Sequence, residues 1–229
     1  MRIGLIDSGI GGLTLLKELR KVCPSNDYTY FADTYAHPYG KWNSHALKTR
    51  LVNVAELLYE IGSEVIIFAC NTATTIALDE VQEKLPIPIL GVKPECANPK
   101  NSLILCTPLT ATTSLIKDYQ DKGAKVYTNL CLASLIERYV GELDVLNDYL
   151  KSELSTYAKP QNLVLGCTHY VYVSNQLEKI TGATACTGFE SIITFVKSFS
   201  TLKGEGSIKY IFSGPRKAEE YAQILKRIH

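Results

Sequence analysis

The chain has almost no charge imbalance. Its 24 basic residues face 23 acidic ones for a net charge of +1, and no long run of either sign occurs in the 229 residues. That balance argues against a basic nucleic-acid surface. Long apolar runs are also missing: none approaches the roughly 18 residues that a membrane-crossing helix needs. The opening Met1-Arg2-Ile3-Gly4-Leu5-Ile6 meets Asp7 too early for a secretion signal. The seven cysteines include no CxxC pair and no Cys/His metal spacing. A disulfide framework, a structural zinc site and a CxxC redox centre are therefore not expected, and no metal is assigned. Reduced thiols in the cytoplasm are the expectation instead. Low-complexity segments are absent, and the one glycine-rich turn lacks GxGxxG spacing, which sets aside a dinucleotide site.

What is present reads as an ordinary globular protein, with 46% hydrophobic and 21% charged residues. The length permits a substantial core, as one large domain or two small ones. The organising stretch is Glu64 to Leu78, EVIIFACNTATTIAL. Val65-Ile66-Ile67-Phe68-Ala69 is continuous, largely β-branched and too short for a helix, so it predicts a strand buried on both faces of a parallel sheet. A helix-forming stretch begins just after Cys70-Asn71-Thr72. Residues at such a junction lie at the carboxyl edge of the sheet, where open α/β folds bind ligands. Asn71 and Thr72 are candidate caps for that helix, whose first amides favour an anion and lower a thiol's pKa.

The arrangement recurs at Leu163-Val164-Leu165-Gly166, followed by Cys167-Thr168-His169 and a helical stretch from about Tyr172. Two strand-end cysteines, each beside hydroxyl or amide groups, suggest two facing half-sites. As isolated residues, Cys70 would be a small buried hydrophobe, and Asp7 and Ser8 would be helix caps. The remaining cysteines, Cys23, Cys96, Cys106, Cys131 and Cys186, are expected to pack.

Elsewhere strands alternate with helices. Strands are predicted at 2–6, 27–32, 85–92, 103–106, 124–127, 183–186 and 208–212. Helices are predicted at 13–22, 44–61, 110–122, 132–140, 145–157, 190–199 and 216–228. Prolines and asparagines break the pattern between Lys93 and Ser102, and Gly204-Glu205-Gly206 reads as a linker. The fold class is α/β: mostly parallel sheets flanked by helices, in two units of similar size.

Several pieces in order resemble glutamate racemase, of the cofactor-independent aspartate/glutamate racemase superfamily. They are IDSGIGGLTLLKEL from Ile6, FADTYAHPYG from Phe31, ACNTAT from Ala69, LGCTHY from Leu165 and FSGPRKAEEYAQIL near the end. The resemblance implies two pseudo-symmetric lobes with the active site in the cleft between them. Residues 1–94 would form the first lobe, joined by the final strand and helix at 205–229, and residues 95–204 the second. It implies interconversion of L- and D-glutamate for peptidoglycan, without pyridoxal phosphate or any other cofactor, and it allows a homodimer.

By position it assigns Cys70 and Cys167 as the two acid/base thiols, with Asp7 and His169 assisting them. Asp7, Ser8, Tyr39, Gly40, Asn71, Thr72 and Thr168 fall on substrate-holding positions. Glu137, in LASLIERY, aligns with a carboxylate near the second thiol. The chain departs from the family pattern at Lys93-Pro94, at Asn129-Leu130-Cys131-Leu132, at Val171 and at His37, and its inter-lobe connection is shorter. The rival readings are a racemase of aspartate or another amino acid, a non-catalytic amino-acid-binding descendant, and a thiol-redox protein.

Overall fold

The computed structural model describes residues 1–157, 159–199 and 204–228. The first unit runs β1 (Arg2–Asp7), α1 (Leu13–Val22), β2 (Asp27–Ala32), α2 (Ser44–Glu60), β3 (Val65–Phe68), α3 (Asn71–Lys84) and β4 (Ile89–Gly91). The second runs β5 (Ser102–Cys106), α4 (Pro108–Ala111), α5 (Ser114–Asp121), β6 (Lys125–Thr128), α6 (Leu132–Arg138), α7 (Asn147–Leu154), β7 (Asn162–Gly166), α8 (Ser174–Thr181) and β8 (Thr184–Cys186). The chain then forms α9 (Glu190–Phe199), β9 (Ile208–Phe212) and α10 (Ala218–Arg227).

Two sheets result, both parallel throughout. One has strand order β4-β3-β1-β2-β9 and the other β6-β5-β7-β8. The apolar runs explain the parallel pairing: all four residues of β3 and all five of β5 are buried, as sheets covered on both faces require. Strand order reverses between β1 and β3 in the first sheet and between β5 and β7 in the second. Such switch points open a crevice at the carboxyl ends of the strands. Asp7 and Cys70 flank the first crevice, and Cys106, Thr107 and Cys167 flank the second.

Helix α1 shows how packing exceeds the simple stripe. Leu13, Leu16 and Leu19, spaced three apart on one helix stripe, are fully buried, but so is Leu15. Both α9 and α10 pack on α1 in addition to the sheet, so a second face is covered. Each such leucine contributes about 1.5–3 kcal/mol by leaving water.

Helix α9 lies within the expected second-lobe range, yet its Ile192 and Val196 join the core built around β1 and α1. The return to the first sheet therefore starts before the 204–206 linker, because α9 presents apolar residues that α1 covers. Other differences are local. The single helix expected over 110–122 is broken at Thr112-Thr113 into α4 and α5, where Thr113 adopts extended backbone. The helix expected from about Tyr172 starts at Ser174, after a 3-10 turn at Thr168–Val173. Cys131 and Cys186 are exposed rather than packed. No helix among the described residues is long and apolar enough to cross a membrane.

Candidate active site

The sequence-predicted residues converge on the facing carboxyl edges of the two sheets. Asp7 ends β1 and is wholly buried. Its Oδ1 accepts the Gly9 N–H at 2.8 Å, and its Oδ2 accepts the Thr168 hydroxyl at 3.4 Å from the other sheet. Burial raises the Asp7 pKa above the ordinary 3.8, although the charge at His169 opposes the rise.

Cys70 precedes α3 in extended backbone and is 7% exposed. Burial pushes its thiol well above the usual range, and negative charge at Asp7 and Cys167 adds to the shift. The backbone amides of Ala73 and Thr72 work the other way, by hydrogen bonding to the sulfur. The capping expected of Asn71 and Thr72 does not occur, since α3 has no side-chain cap. Both polar atoms of the Asn71 amide are buried without a partner. The Thr72 hydroxyl is drawn away by Thr107 at 2.9 Å and Thr110 at 3.0 Å, which are themselves 3.0 Å apart. This threonine triangle joins α3 to the turn that follows β5.

Cys167, 6% exposed, holds the matching position after β7. The 3-10 turn after it brings His169 Nδ1 to 4.0 Å from the sulfur. On the other side of the ring, His169 Nε2 lies 3.0 Å from Glu137 Oε1. Burial alone would lower the His169 pKa. The hydrogen bonds to Cys167 and Glu137, with their negative charges, outweigh it and hold the imidazole well above 6.5. Glu137 responds in the opposite sense: burial would raise it, but His169 and then His37 bring its carboxyl down to about 2. Both shifts describe an imidazolium–carboxylate pair. Glu137 also accepts the Ile10 N–H at 2.8 Å and stands 3.7 Å from Arg216 Nη2. The glycine loop of the first sheet is thereby tied to α6 of the second unit.

That close approach needs glycine. A Cβ on Gly11 would lie 2.6 Å from both His169 Nδ1 and Thr168 Oγ1, and one on Gly9 would collide with the Glu137 carboxylate.

Ser8 and Gly40 are at the seam. The Ser8 hydroxyl lies 3.4 Å from His37 Nδ1, and a Cβ on Gly40 would lie 2.7 Å from Thr107 Cβ. Tyr39 shares a core cluster with Cys70, but its hydroxyl is committed to Asp33 Oδ2 at 2.9 Å. Asp33, which directly follows the strand expected at 27–32, was given no role from sequence. It is fully buried and also accepts Arg50 Nε at 2.6 Å, Arg50 Nη2 at 2.5 Å and Ser213 Oγ at 2.6 Å. Sequence reasoning likewise missed Thr107 and Thr110, although Thr107 directly follows a buried strand and the strand-end rule would have found it. His37 was noted only as a departure. Burial and the nearby His169 charge depress its pKa to about 4.

Two buried thiols close enough for the charge of one to act on the other, one beside a carboxylate and one beside an imidazolium, are groups able to give and take protons.

No family model matches the chain. Curated relatives do. The chain is 32% identical over 253 aligned positions to glutamate racemase of Halothermothrix orenii, covering 100% of both chains. It is 34% identical over 239 positions to glutamate racemase 2 of Bacillus subtilis, covering 93% of this chain and 89% of that one. Among solved structures, glutamate racemase of Francisella tularensis in complex with D-glutamate superposes with a TM-score of 0.83 at 25% identity. That match covers 99% of this chain and 94% of the other. With the two parallel sheets, the paired cysteines and full-length identity above 30%, the chain belongs to the glutamate racemase family.

Proposed function

We propose that the chain is a glutamate racemase that interconverts L- and D-glutamate by moving the Cα proton between two thiols, supplying D-glutamate for peptidoglycan. The observation that carries this reading is the pairing of Cys70 and Cys167, one buried at each topological switch point. Inversion requires a proton to leave one face of Cα and another to arrive at the opposite face. One deprotonated and one protonated thiol suffice, and after turnover their states are exchanged. A thiol near neutral pKa serves in either state once its surroundings tune it.

In this reading Cys167 deprotonates L-glutamate and Cys70 deprotonates D-glutamate. Asp7 serves the Cys70 side and His169, held by Glu137, the Cys167 side. The unpartnered Asn71 amide supports a ligand-holding role, because a buried polar group left unsatisfied costs about 1–3 kcal/mol. Asn71, Ser8, Thr168 and the backbone amides after each cysteine hold the substrate's carboxylates and ammonium, and stabilise the charge of the carbanion. Thr72, Gly40 and Tyr39 shape the seam: Thr72 through the threonine triangle, Tyr39 through Asp33. Both thiols are nearly closed off, so the lobes part to admit substrate and close to exclude water. The lobes are residues 1–94 with the returning C-terminal elements, and a second lobe built on β5 to β8. No cofactor, nucleic acid or membrane takes part, the location is cytoplasmic, and the family resemblance allows a homodimer.

The test is purified protein with L-glutamate and no added cofactor, followed by circular dichroism. The signal should decay to zero as the racemate forms, and kcat/KM for glutamate should exceed that for aspartate. A flat signal would favour an amino-acid-binding protein, and a preference for aspartate would move the chain to the rival substrate.

A further inference from the structure

Three donor side chains meet at the seam from three separate segments: His37 from the loop after β2, Glu137 from α6, and His169 from the turn after β7. We propose that they form a binding site for a divalent transition-metal cation of the zinc class, and that its occupation inhibits the enzyme.

The donor set is two imidazoles and one carboxylate, which suits zinc and its neighbours. One ligand atom from each residue lies within 4.8 Å of the other two. Tetrahedral ligands at about 2.0–2.1 Å from zinc are separated from one another by roughly 3.3 Å. Glu137 Oε1 is 3.0 Å from His169 Nε2 and 3.5 Å from His37 Nδ1, one on each side of that spacing. The two imidazoles do not hydrogen-bond to each other. Their ring centroids are 5.2 Å apart at a 47° tilt, so closing that edge is the main adjustment a cation would demand.

A second observation concerns His37. Its Nε2 is buried without a hydrogen-bond partner, and its Nδ1 has only the longer contacts to Ser8 and Glu137. Nδ1 is the nitrogen that faces Glu137, so in the neutral tautomer that carries its proton on Nε2 the Nδ1 lone pair is the one a cation would take. Arg216 opposes a cation, but its Nη2 lies beside Glu137 Oε2, leaving Oε1 to face the imidazoles. Ile10 N–H orients that same Oε1, the kind of outer contact that supports ligands. The three residues are distant in sequence, so no local spacing announces them.

Metal binding rests on this geometry alone. Inhibition rests also on the racemase reading: a cation on His169 and Glu137 takes the imidazole away from proton handling at Cys167.

Isothermal titration of chelator-treated protein with ZnCl2 and CoCl2 tests the site. One saturable site is expected, weakened at least tenfold in both His37→Gln and Glu137→Gln and retained in Cys70→Ala and Cys167→Ala. Bound cobalt should show d–d bands without a thiolate charge-transfer band. Circular dichroism melts establish that each variant is folded, and where one is not, the other carries the comparison. No saturable binding, wild-type affinity in a folded His37→Gln, or loss of the site in either cysteine variant would overturn the proposal, the last because the thiols would then hold the metal. In the activity arm, zinc should slow wild-type racemisation, with at least tenfold less sensitivity in His37→Gln relative to its own metal-free rate. Binding without inhibition would overturn the inhibitory role. A wild-type protein that binds zinc but never racemises glutamate would refute the enzyme reading and leave the site standing.

Discussion

The two halves of the active site share a backbone plan and differ in chemistry. Each places a cysteine just past a buried parallel strand at a point where strand order reverses. On one side Cys70 leads into the 14-residue α3, beside the buried carboxyl of Asp7 and the unpartnered Asn71 amide. On the other, Cys167 leads into a 3-10 turn that carries His169 back over the sulfur, with Glu137 holding the ring. Burial, with negative neighbours adding to it, pushes the first thiol up, while a positive imidazolium lies 4.0 Å from the second. The pseudo-symmetry is thus one of chain path, and the proton chemistry is asymmetric. The proposed reaction, running in both directions over one site, would use that difference, because in it each thiol begins one direction in the opposite protonation state.

The largest break in the comparison comes from the thiols themselves. Cys70→Ala and Cys167→Ala should each lower racemisation in both directions by about 10²-fold or more, the usual contribution of a general acid–base group. Progress curves from L- and from D-glutamate check this. A variant within tenfold of wild type would mean that one thiol is dispensable.

Asp7→Asn and His169→Asn sharpen the comparison by disabling one side's assistant at a time. Equilibrium fixes the ratio of the two kcat/KM values, so the asymmetry should emerge in kcat and in the substrate deuterium isotope effects. The two variants should show opposite directional patterns, and identical patterns would remove the separate roles.

The Glu137–His169 pair belongs to one half only and predicts an acid limb of stability. Glu137 is held near 2 against an ordinary 4.5. A depressed carboxylate stabilises the fold fully above the unfolded value and loses that stabilisation as pH falls from about 4.5 toward 2. The shift corresponds to on the order of 3 kcal/mol. Urea unfolding across that range should show a steep loss in wild type and a shallower one in Glu137→Gln. Equal slopes would mean the pair does not form.

A smaller effect is expected from the clamp that supports the Cys70 side. Asp33→Asn weakens acceptors for Arg50, Tyr39 and Ser213. It should cost about 1–3 kcal/mol, read as a lowered Tm, with both cysteines and their roles left in place. An unchanged Tm would show the clamp to be redundant.

Much of this asymmetry was hidden from the sequence for physical reasons. The strands that carry Cys70 and Cys167 are legible because unbroken apolar runs have few alternatives to a covered parallel sheet. The helix α9 was equally visible, but its docking on α1 was not, since an apolar face does not say which partner covers it. The short turn after Cys167 defeated the helix expectation there: Tyr172 reads as the start of a helix but lies in the 3-10 turn that seats its OH on the Ile10 carbonyl at 2.8 Å. Asn71 and Thr72 looked like caps because that is their usual local use, and the threonines across the seam compete for Thr72. His37, Asp33, Arg50 and Thr107 acquire meaning only through contacts distant along the chain, which periodicity cannot reveal.

The most direct test of the two-thiol, two-face account is solvent deuterium exchange without racemisation. In heavy water, Cys70→Ala should slowly wash deuterium into the Cα position of L-glutamate while forming no D-glutamate, because the remaining Cys167 thiolate removes and returns a proton on its own face. Cys167→Ala should do the same with D-glutamate only. Exchange by both variants into the same enantiomer would contradict the assignment of faces, and net inversion by either at near wild-type rate would contradict the two-thiol mechanism itself.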